Sequence, residues 1–290
     1  MPLSFSTIFS CLSARYFAKH KYQLSICMVF RDEAPYLKEW IEFHRLVGVD
    51  HFYLRSHKSV DHYAEVLAPY IQEGLVEFSE DQTGEEGDIH FWKNIHRVFY
   101  VECLKKARGV SKWVAFLDSD EFLFPSKESS VLDVLKDFEQ YPGIGINWQM
   151  FGTSDVEKIQ PNQLLIESLT HCASVDYEAN IHIKSIVKPE FAVDFINPHY
   201  AVYWPGYKQV NTDGQSFAGP FSPYVQVDKL RINHYWLRDE YFFHNVKIKR
   251  RLDLGYSVNS IMKQSIEMNQ KTNDLVLRYV PALKEAMDLN

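Results

Sequence analysis

Between Gln23 and Phe124 the hydrophobic positions switch repeatedly between two rhythms. The apolar runs Leu24–Phe30 (LSICMVF) and Trp113–Leu117 (WVAFL) have too little polar alternation for a half-exposed strand, so they predict strands covered on both faces. Val49–Leu54 (VDHFYL) and Leu75–Phe78 predict two shorter strands. Helical spacing fills the gaps. Tyr36–Val47 places Leu37, Trp40, Ile41, His44 and Val47 on one face, and His62–Glu73 stops at Gly74, where a helix-terminating glycine belongs. A polar loop over Ser79–Asp88 leads into a helix from about Ile89 to Ala107. Strands alternating with helices predict a largely parallel sheet with right-handed crossovers.

Beyond Phe124 the pattern continues less regularly. Val131–Glu139 reads as a helix and Gly143–Met150 as a strand, and short apolar pieces follow at Leu164–Leu169 and Ile181–Val187. Pro205–Pro223, rich in glycine, proline and aromatics, predicts an ordered loop able to wall or cover a site. Asp239–Leu254 predicts a helix bearing Lys247, Lys249, Arg250 and Arg251, which either neutralises leaving-group charge near a diphosphate or faces outward to an anionic membrane or to water. Ser265–Asn290 predicts a helix interrupted at Pro281. Before the first strand, Phe5, Ile8, Phe9, Leu12 and Tyr16 recur at helical spacing. No basic region precedes them and the run is too short to cross a bilayer, so the expectation is a lead that packs on the domain as an amphipathic helix, touches a membrane surface or is disordered, rather than a signal peptide. The chain thus divides into a lead (residues 1–22), a main domain (23–255) and a C-terminal helical extension (256–290).

Composition narrows the function. The 290 residues suffice for one larger α/β domain, and 46% apolar against 24% charged residues excludes bulk disorder. A net charge of −7, from 31 basic and 38 acidic residues, argues against nucleic acid as the main partner. Cys11, Cys27, Cys103 and Cys172 show no metal-ligand spacing and no disulfide framework; they fit a reducing compartment and a cytoplasmic protein, peripheral at most to the inner face of a membrane.

The chemistry concentrates where WVAFL runs into Asp118-Ser119-Asp120-Glu121. Ligands of α/β sheets gather at the carboxyl ends of strands. Three acids in four residues beside a core repel one another and lose hydration, a cost usually offset by a hard divalent cation with oxygen ligands. Asp118 and Asp120, two residues apart, can share one ion. The competing explanation is an acidic turn that caps a helix, for which one acid suffices.

Several stretches then carry a resemblance. FRDEAPYLKEWIEFHRLVGVDHFYL, WVAFLDSDEFLF, WQMFG (Trp148–Gly152), KSIVKP (Lys184–Pro189) and Asn233-His234-Tyr235 come in the order found in glycosyltransferase family 92 and related bacterial family-2-like transferases, and the similarity runs from about residue 23 to 255. The resemblance implies a GT-A fold: a Rossmann-like α/β architecture with a mostly parallel mixed sheet flanked by helices, here with a C-terminal helical segment. It also implies a nucleotide-sugar donor and a divalent metal, Mn2+ or Mg2+, held by the DxD acids Asp118 and Asp120.

By the same resemblance Arg31 and Glu33 belong to the donor pocket, with an ion pair at a helix start as the alternative. Lys184 matches the lysine of the KxIxKP stretch and reaches donor phosphate or the acids. His199 and His234 match family positions, His234 as the histidine completing the metal shell and His199 on the acceptor side. Asp118 contacts donor as well as metal, and Asp61 in the loop after the second strand is a weaker donor candidate. Glu121 either orients a neighbour or accepts a hydrogen bond from the donor sugar. Trp148, an aromatic just ahead of Gly152, suits the face of an acceptor sugar ring, with a core tryptophan as its alternative. Asp155 stands where related enzymes place an acid near the acceptor, with Glu167 as its rival for the base; family 92 commonly has small residues there, which sets this chain apart.

Together these readings give a metal-dependent, inverting transfer of a hexose from a UDP-sugar to a saccharide or glycolipid hydroxyl, as in cell-surface polysaccharide or lipopolysaccharide synthesis. Two rivals remain. FLDSDEF also resembles a haloacid-dehalogenase nucleophile strand, though Phe122 replaces its usual Thr or Val, and a non-catalytic saccharide-binding module would need the same pocket.

Overall fold

A computed structural model of the chain describes residues 20–83 and 89–289, apart from the side chains of residues 89–93. The lead (residues 1–19) and positions 84–88 of the Ser79–Asp88 loop lie outside the described residues. The strands are β1 (Tyr22–Phe30), β2 (His51–His57), β3 (Val76–Asp81), β4 (Ser111–Phe116), β5 (Glu121–Pro125), β6 (Gly143–Met150), β7 (His171–Cys172), β8 (Ile183–Val187), β9 (Ala192–Asn197), β10 (Tyr200–Tyr203), β11 (Leu230–His234) and β12 (Lys271–Thr272). Eight of them form one mixed sheet in the order β3-β2-β1-β4-β8-β6-β11-β5, while β9–β10 and β7–β12 make two small ladders.

The first four strands pair in parallel through α1 (Ala34–Leu46), α2 (Tyr63–Gln72) and α3 (Ile89–Ala107), as the sequence rhythm predicts. β8 runs antiparallel to both β4 and β6, and β11 runs parallel to β6 but antiparallel to β5. This order forces curvature. Across a flat sheet β4 and β5 would stand about 19 Å apart, four strand spacings of about 4.8 Å. The link between Phe116 and Glu121 spans at most about 17 Å when fully extended. The sheet therefore curls, and the acidic turn Leu117–Asp120 bridges its mouth.

Both faces of the central strands are covered, which is why their sequences lack polar alternation. Leu24, Ile26 and Met28 of β1 join Trp113, Ala115 and Leu117 in one core, while Cys27, Val29, Val114 and Phe116 join α3 residues such as Tyr100 and Leu104 in the other. The period-two alternation separates two apolar environments instead of core from solvent. The expected helical face of α1 is also present: Leu37, Trp40, Ile41 and His44 are all fully buried.

The C-terminal residues differ from expectation in detail. Pro281 sits in the first turn of a helix, Val280–Ala286, where its missing N–H costs nothing, so it starts that helix after a 3-10 turn over Leu275–Tyr279. Ile261, Met268, Val276 and Leu283 belong to the same core as β1 and β4, so the segment 256–289 packs into the main body. Arg278 fastens it by donating to carbonyl oxygens of Pro125, at the end of β5, and of Ser126 (3.1 Å) and Glu128 (3.0 Å) just beyond it.

Candidate functional site

The turn between β4 and β5 is shaped by its own acids. Glu121 N donates to Asp118 O (3.2 Å), and Asp118 N donates back to Glu121 Oε2 (2.8 Å). Glu121 is fully buried, so it orients the turn. Its neighbours lock it from two directions. Trp40 Nε1 of α1 donates to Glu121 O (2.8 Å), and Tyr235 N, just after β11, donates to Asp120 O (2.8 Å). His44 accepts from Leu123 N at Nε2 (3.2 Å) while its Nδ1 meets Trp40 O (2.8 Å), and burial drops its pKa to about 3, so it serves as a neutral bracket between α1 and β5.

The charge arrangement corrects the simplest reading of three crowded acids. Lys184 of β8 is wholly buried, with Nζ 2.9 Å from Asp118 Oδ2 and 3.3 Å from Glu121 Oε2. His96 Nε2 of α3 lies 3.8 Å from Asp118 Oδ1. Burial pushes the Asp118 carboxyl up, but Lys184 and then His96 outweigh it, and the group stays below the usual carboxylate range. Glu121 goes the other way. Burial raises it to about 7, with Lys184 offsetting part of the rise and Asp118 adding to it. Mutual repulsion is thus relieved by a protein cation and by one acid holding its proton more tightly.

Asp120 has a separate set of partners. His234 Nε2, at the end of β11, stands 3.4 Å from Asp120 Oδ1. Burial raises the Asp120 pKa, yet His234, Lys247 and Arg238 together hold it far below the ordinary range. Arg238, at φ +57° and 2% exposed, ion-pairs with Glu33 and lies 3.8 Å over the Tyr36 ring and 4.5 Å over Phe242. Its Nε has no hydrogen-bond partner. Lys247 ends a π-helical turn, Phe243–Lys247, inside the predicted Asp239–Leu254 helix, with its ammonium 4.6 Å over Trp236. Burial lowers its pKa to about 8 although Asp120 pulls it up. The basic helix therefore turns at least this lysine toward the acids.

Beside the acids lies an aromatic group. Trp148 of β6 stacks on His182 (5.0 Å, 15°), meets His199 edge-on at 5.0 Å and tilts against His234 at 4.3 Å. It is nearly buried, and its Nε1 has no hydrogen-bond partner. His199 Nδ1 meets Ile183 O at 3.1 Å; burial and then Lys184 lower its pKa to about 3, so the ring is neutral. Gly152 needs no sugar to explain it. A Cβ there would stand 2.1 Å from Asn269 Oδ1 and 2.7 Å from Met268 O, so the glycine admits the C-terminal helix Val258–Met268 against the loop after β6. Asn269 then accepts from Ser154 N (2.8 Å) and donates to Thr153 Oγ1 (3.2 Å).

The structure brings Asp118, Asp120, Glu121, Lys184, Trp148, His199, His234 and Glu33 into one linked cluster. The remaining candidates stand differently. Arg31 Nε lies 3.6 Å from Asp32 Oδ2, at the carboxyl end of β1. Asp61 accepts from Ala34 N (2.7 Å), tying the loop after β2 to the first turn of α1. Asp155, at φ +57°, has an 82% exposed side chain 4.0 Å from His171 Nδ1. Glu167 Oε1 takes Lys284 Nζ at 2.7 Å, on the side of the C-terminal helix. Sequence reasoning missed His96, His182 and Arg238. Each is an isolated residue without a spacing pattern, and only the packing of α3, β8 and the segment after β11 brings them in.

Among the described residues no three His, Cys, Asp or Glu side chains form a complete metal centre. A partial set remains. Asp118 Oδ1 is buried without a hydrogen bond, Asp120 Oδ1 faces His234, and these are the hard oxygen and imidazole donors that Mg2+ or Mn2+ accepts when substrate phosphates supply the rest. The residues fit such an ion.

Comparison with known proteins follows the same residues. The sequence profile of glycosyltransferase family 92 matches residues 20–218. A family 92 glycosyltransferase of Oryza sativa subsp. japonica is 27% identical over 206 residues, 68% of this chain and 32% of the rice protein. A galactan beta-1,4-galactosyltransferase of Arabidopsis thaliana is 33% identical over 110 residues, 36% of this chain and 20% of its own. Among solved structures, TarS of S. aureus in complex with UDP gives a TM-score of 0.37 at 14% identity, over 58% of this chain and 47% of TarS. The chain spans about a third of the length of the plant family 92 relatives it matches. With most of its length matched by the profile, including the acidic turn, Trp148 and Lys184, the chain belongs to glycosyltransferase family 92.

Proposed function

We propose that the chain moves a hexose from a uridine diphosphate sugar to a hydroxyl of a saccharide or glycolipid, with inversion at the anomeric carbon. The observation that carries this reading is the division of charge at the β4–β5 turn: Asp118 is held by buried Lys184, while Asp120 faces His234 under the charges of Arg238 and Lys247. Such a site presents carboxylates to a cation and cations to a diphosphate. The galactosyltransferase name of one relative supports a hexose as the group moved.

Asp118 Oδ1, Asp120 and His234 would hold the divalent ion, which supplies positive charge to the diphosphate as the glycosidic bond breaks. Lys184 and Glu121 keep the turn in one shape, so these ligands need little reorganisation. Lys247, whose charge acts on Asp120, adds a second charge for the leaving group. Trp148 with His182 and His199 forms the acceptor wall. Asp155, exposed beyond the end of β6, takes the proton of the acceptor hydroxyl at a carboxylate oxygen. The hydroxyl oxygen bonds to the anomeric carbon, and the electron pair of the broken bond leaves with the diphosphate. Glu167 serves less well, because Lys284 already engages it.

The test is mass spectrometry of the purified chain incubated with a panel of nucleotide sugars, with and without Mn2+ or Mg2+. Metal-dependent hydrolysis or transfer from a UDP-hexose is expected. Donor binding without turnover on any acceptor would point to a binding module, and an acyl-phosphate trapped on Asp118 would point to a phosphatase; either result overturns the proposal.

A further inference from the structure

We infer that the surface over residues 249–266 docks the protein on an anionic lipid bilayer. Every residue from Leu252 to Ser260 is exposed. Leu252, Leu254, Tyr256 and Val258 lie in or beside the connection into the helix Val258–Met268. That helix buries Ile261, Ser265 and Met268 and turns Val258, Met262 and Ile266, one turn apart each, outward; Ile266 is 66% exposed. An outward apolar stripe on a helix that already has a buried face is unusual on a soluble surface.

Charge identifies what the stripe meets. Lys249 and Arg250 are exposed and Arg251 is half-buried just ahead of this stretch, while Lys263 pairs with Glu267 at 3.7 Å; Asp253 is the one acid among residues 249–266. This gives a basic patch on a chain whose formal net charge is −7. Among the described residues no ion pair neutralises Lys249 or Arg250. Basic side chains interleaved with exposed Leu, Tyr, Val, Met and Ile match the two parts of an anionic membrane surface, headgroup charge and the acyl boundary beneath it. A protein partner would meet the apolar stripe without requiring the lysines and arginines around it.

The patch also adjoins the site. The Arg251 guanidinium lies 3.4 Å over Tyr256 and 5.2 Å over Trp236, and Trp236 is the ring that carries the Lys247 ammonium. A bilayer bound at Tyr256 would therefore lie one guanidinium and one indole ring away from Lys247. Among the described residues no helix is long and apolar enough to cross a membrane.

The test is co-sedimentation of the full chain with phosphatidylcholine vesicles, with and without phosphatidylglycerol, and needs no enzymatic turnover. Binding that requires phosphatidylglycerol and weakens with added salt is expected. Lys249→Glu with Arg250→Glu should weaken it by about tenfold or more, given the favourable contribution of each basic residue near an anionic surface. Met262→Ser with Ile266→Ser should weaken it with unchanged thermal melting, because both side chains already face water. Failure of the parent chain to bind overturns the inference. So does equal binding to neutral vesicles, or unchanged binding of both variant pairs, which would assign retention to another part of the chain.

Discussion

Lys184 Nζ lies 2.9 Å from Asp118 Oδ2, and no part of the lysine side chain reaches solvent. Two consequences follow from burial of one cation between two acids. The acidic turn has a counter-charge of its own before any ligand arrives, and each member of the pair depends on the other. Burial alone would lower the Lys184 pKa; Asp118 and then Glu121 reverse that, so the lysine remains charged.

Lys184→Met should therefore destabilise the fold by about 3 kcal/mol, because it leaves the buried Glu121 and its half-buried neighbour Asp118 without their cation. Adding Glu121→Gln should recover part of the loss. Urea denaturation of the single and double variants checks this, and equal stability of Lys184→Met and the parent chain would show that the pair is solvated in solution.

Asp120→Asn should reduce transfer by about two orders of magnitude, the scale of losing a principal charge-stabilising group. Had the acids merely repelled one another, the substitution would also have stabilised the metal-free protein. Since His234, Lys247 and Arg238 surround Asp120, the opposite is expected: a loss of about 2 kcal/mol at neutral pH. The depressed pKa means that this contribution is present above the unfolded carboxylate value and fades only in strong acid. Melting curves at pH 7 without metal decide between the two signs.

Glu39 supplies a pH dependence unconnected with catalysis. Its two oxygens accept from Leu165 N (2.8 Å) and Ile166 N (3.0 Å), yet burial raises its pKa to about 7 despite those bonds. A carboxyl raised in the folded state favours folding below its unfolded pKa of about 4.3, and that advantage disappears as pH rises toward 7. Stability should fall over that window by up to about 3 kcal/mol from this group. Glu39→Gln should flatten the slope while lowering stability throughout, since an amide cannot accept both N–H groups. An unchanged slope in the variant would refute the assignment.

Lys247→Met should leave the fold intact and lower the rate of donor cleavage by about a hundredfold, the scale of one oriented charge lost at a leaving group. Lys247→Arg should restore part of that rate. Steady-state kinetics with the active donor separates this from a structural effect. Equal melting temperatures with unchanged kcat and KM in the Met variant would remove Lys247 from the site.

How much of this was legible in the sequence depends on whether the signal was local. The four parallel strands, α1 with its buried Leu37-Trp40-Ile41-His44 face and the acidic turn after β4 follow from apolar periodicity and from charge beside a core, and both are properties of adjacent residues. The order of motifs from Arg31 to His234 was enough to indicate family 92. Whether Lys184 would meet phosphate or the sheet's acids was left open by the sequence. It meets the acids because β8 runs antiparallel beside β4, a pairing between residues far apart in the chain.

The tertiary structure alone decided which charges meet. Arg238 and Glu33 are separated by most of the chain and ion-pair where the segment after β11 crosses the start of α1. The WQMFG glycine looked like part of a sugar platform, but Gly152 makes room for Asn269, a contact no local pattern encodes. Hydrophobic periodicity is written residue by residue, because each strand or helix must present its own apolar face. Charge pairing is not, because a buried carboxylate can be neutralised by a cation from anywhere in the chain, and only the curl of the sheet brings Lys184, His234 and Arg238 to the one turn that needs them.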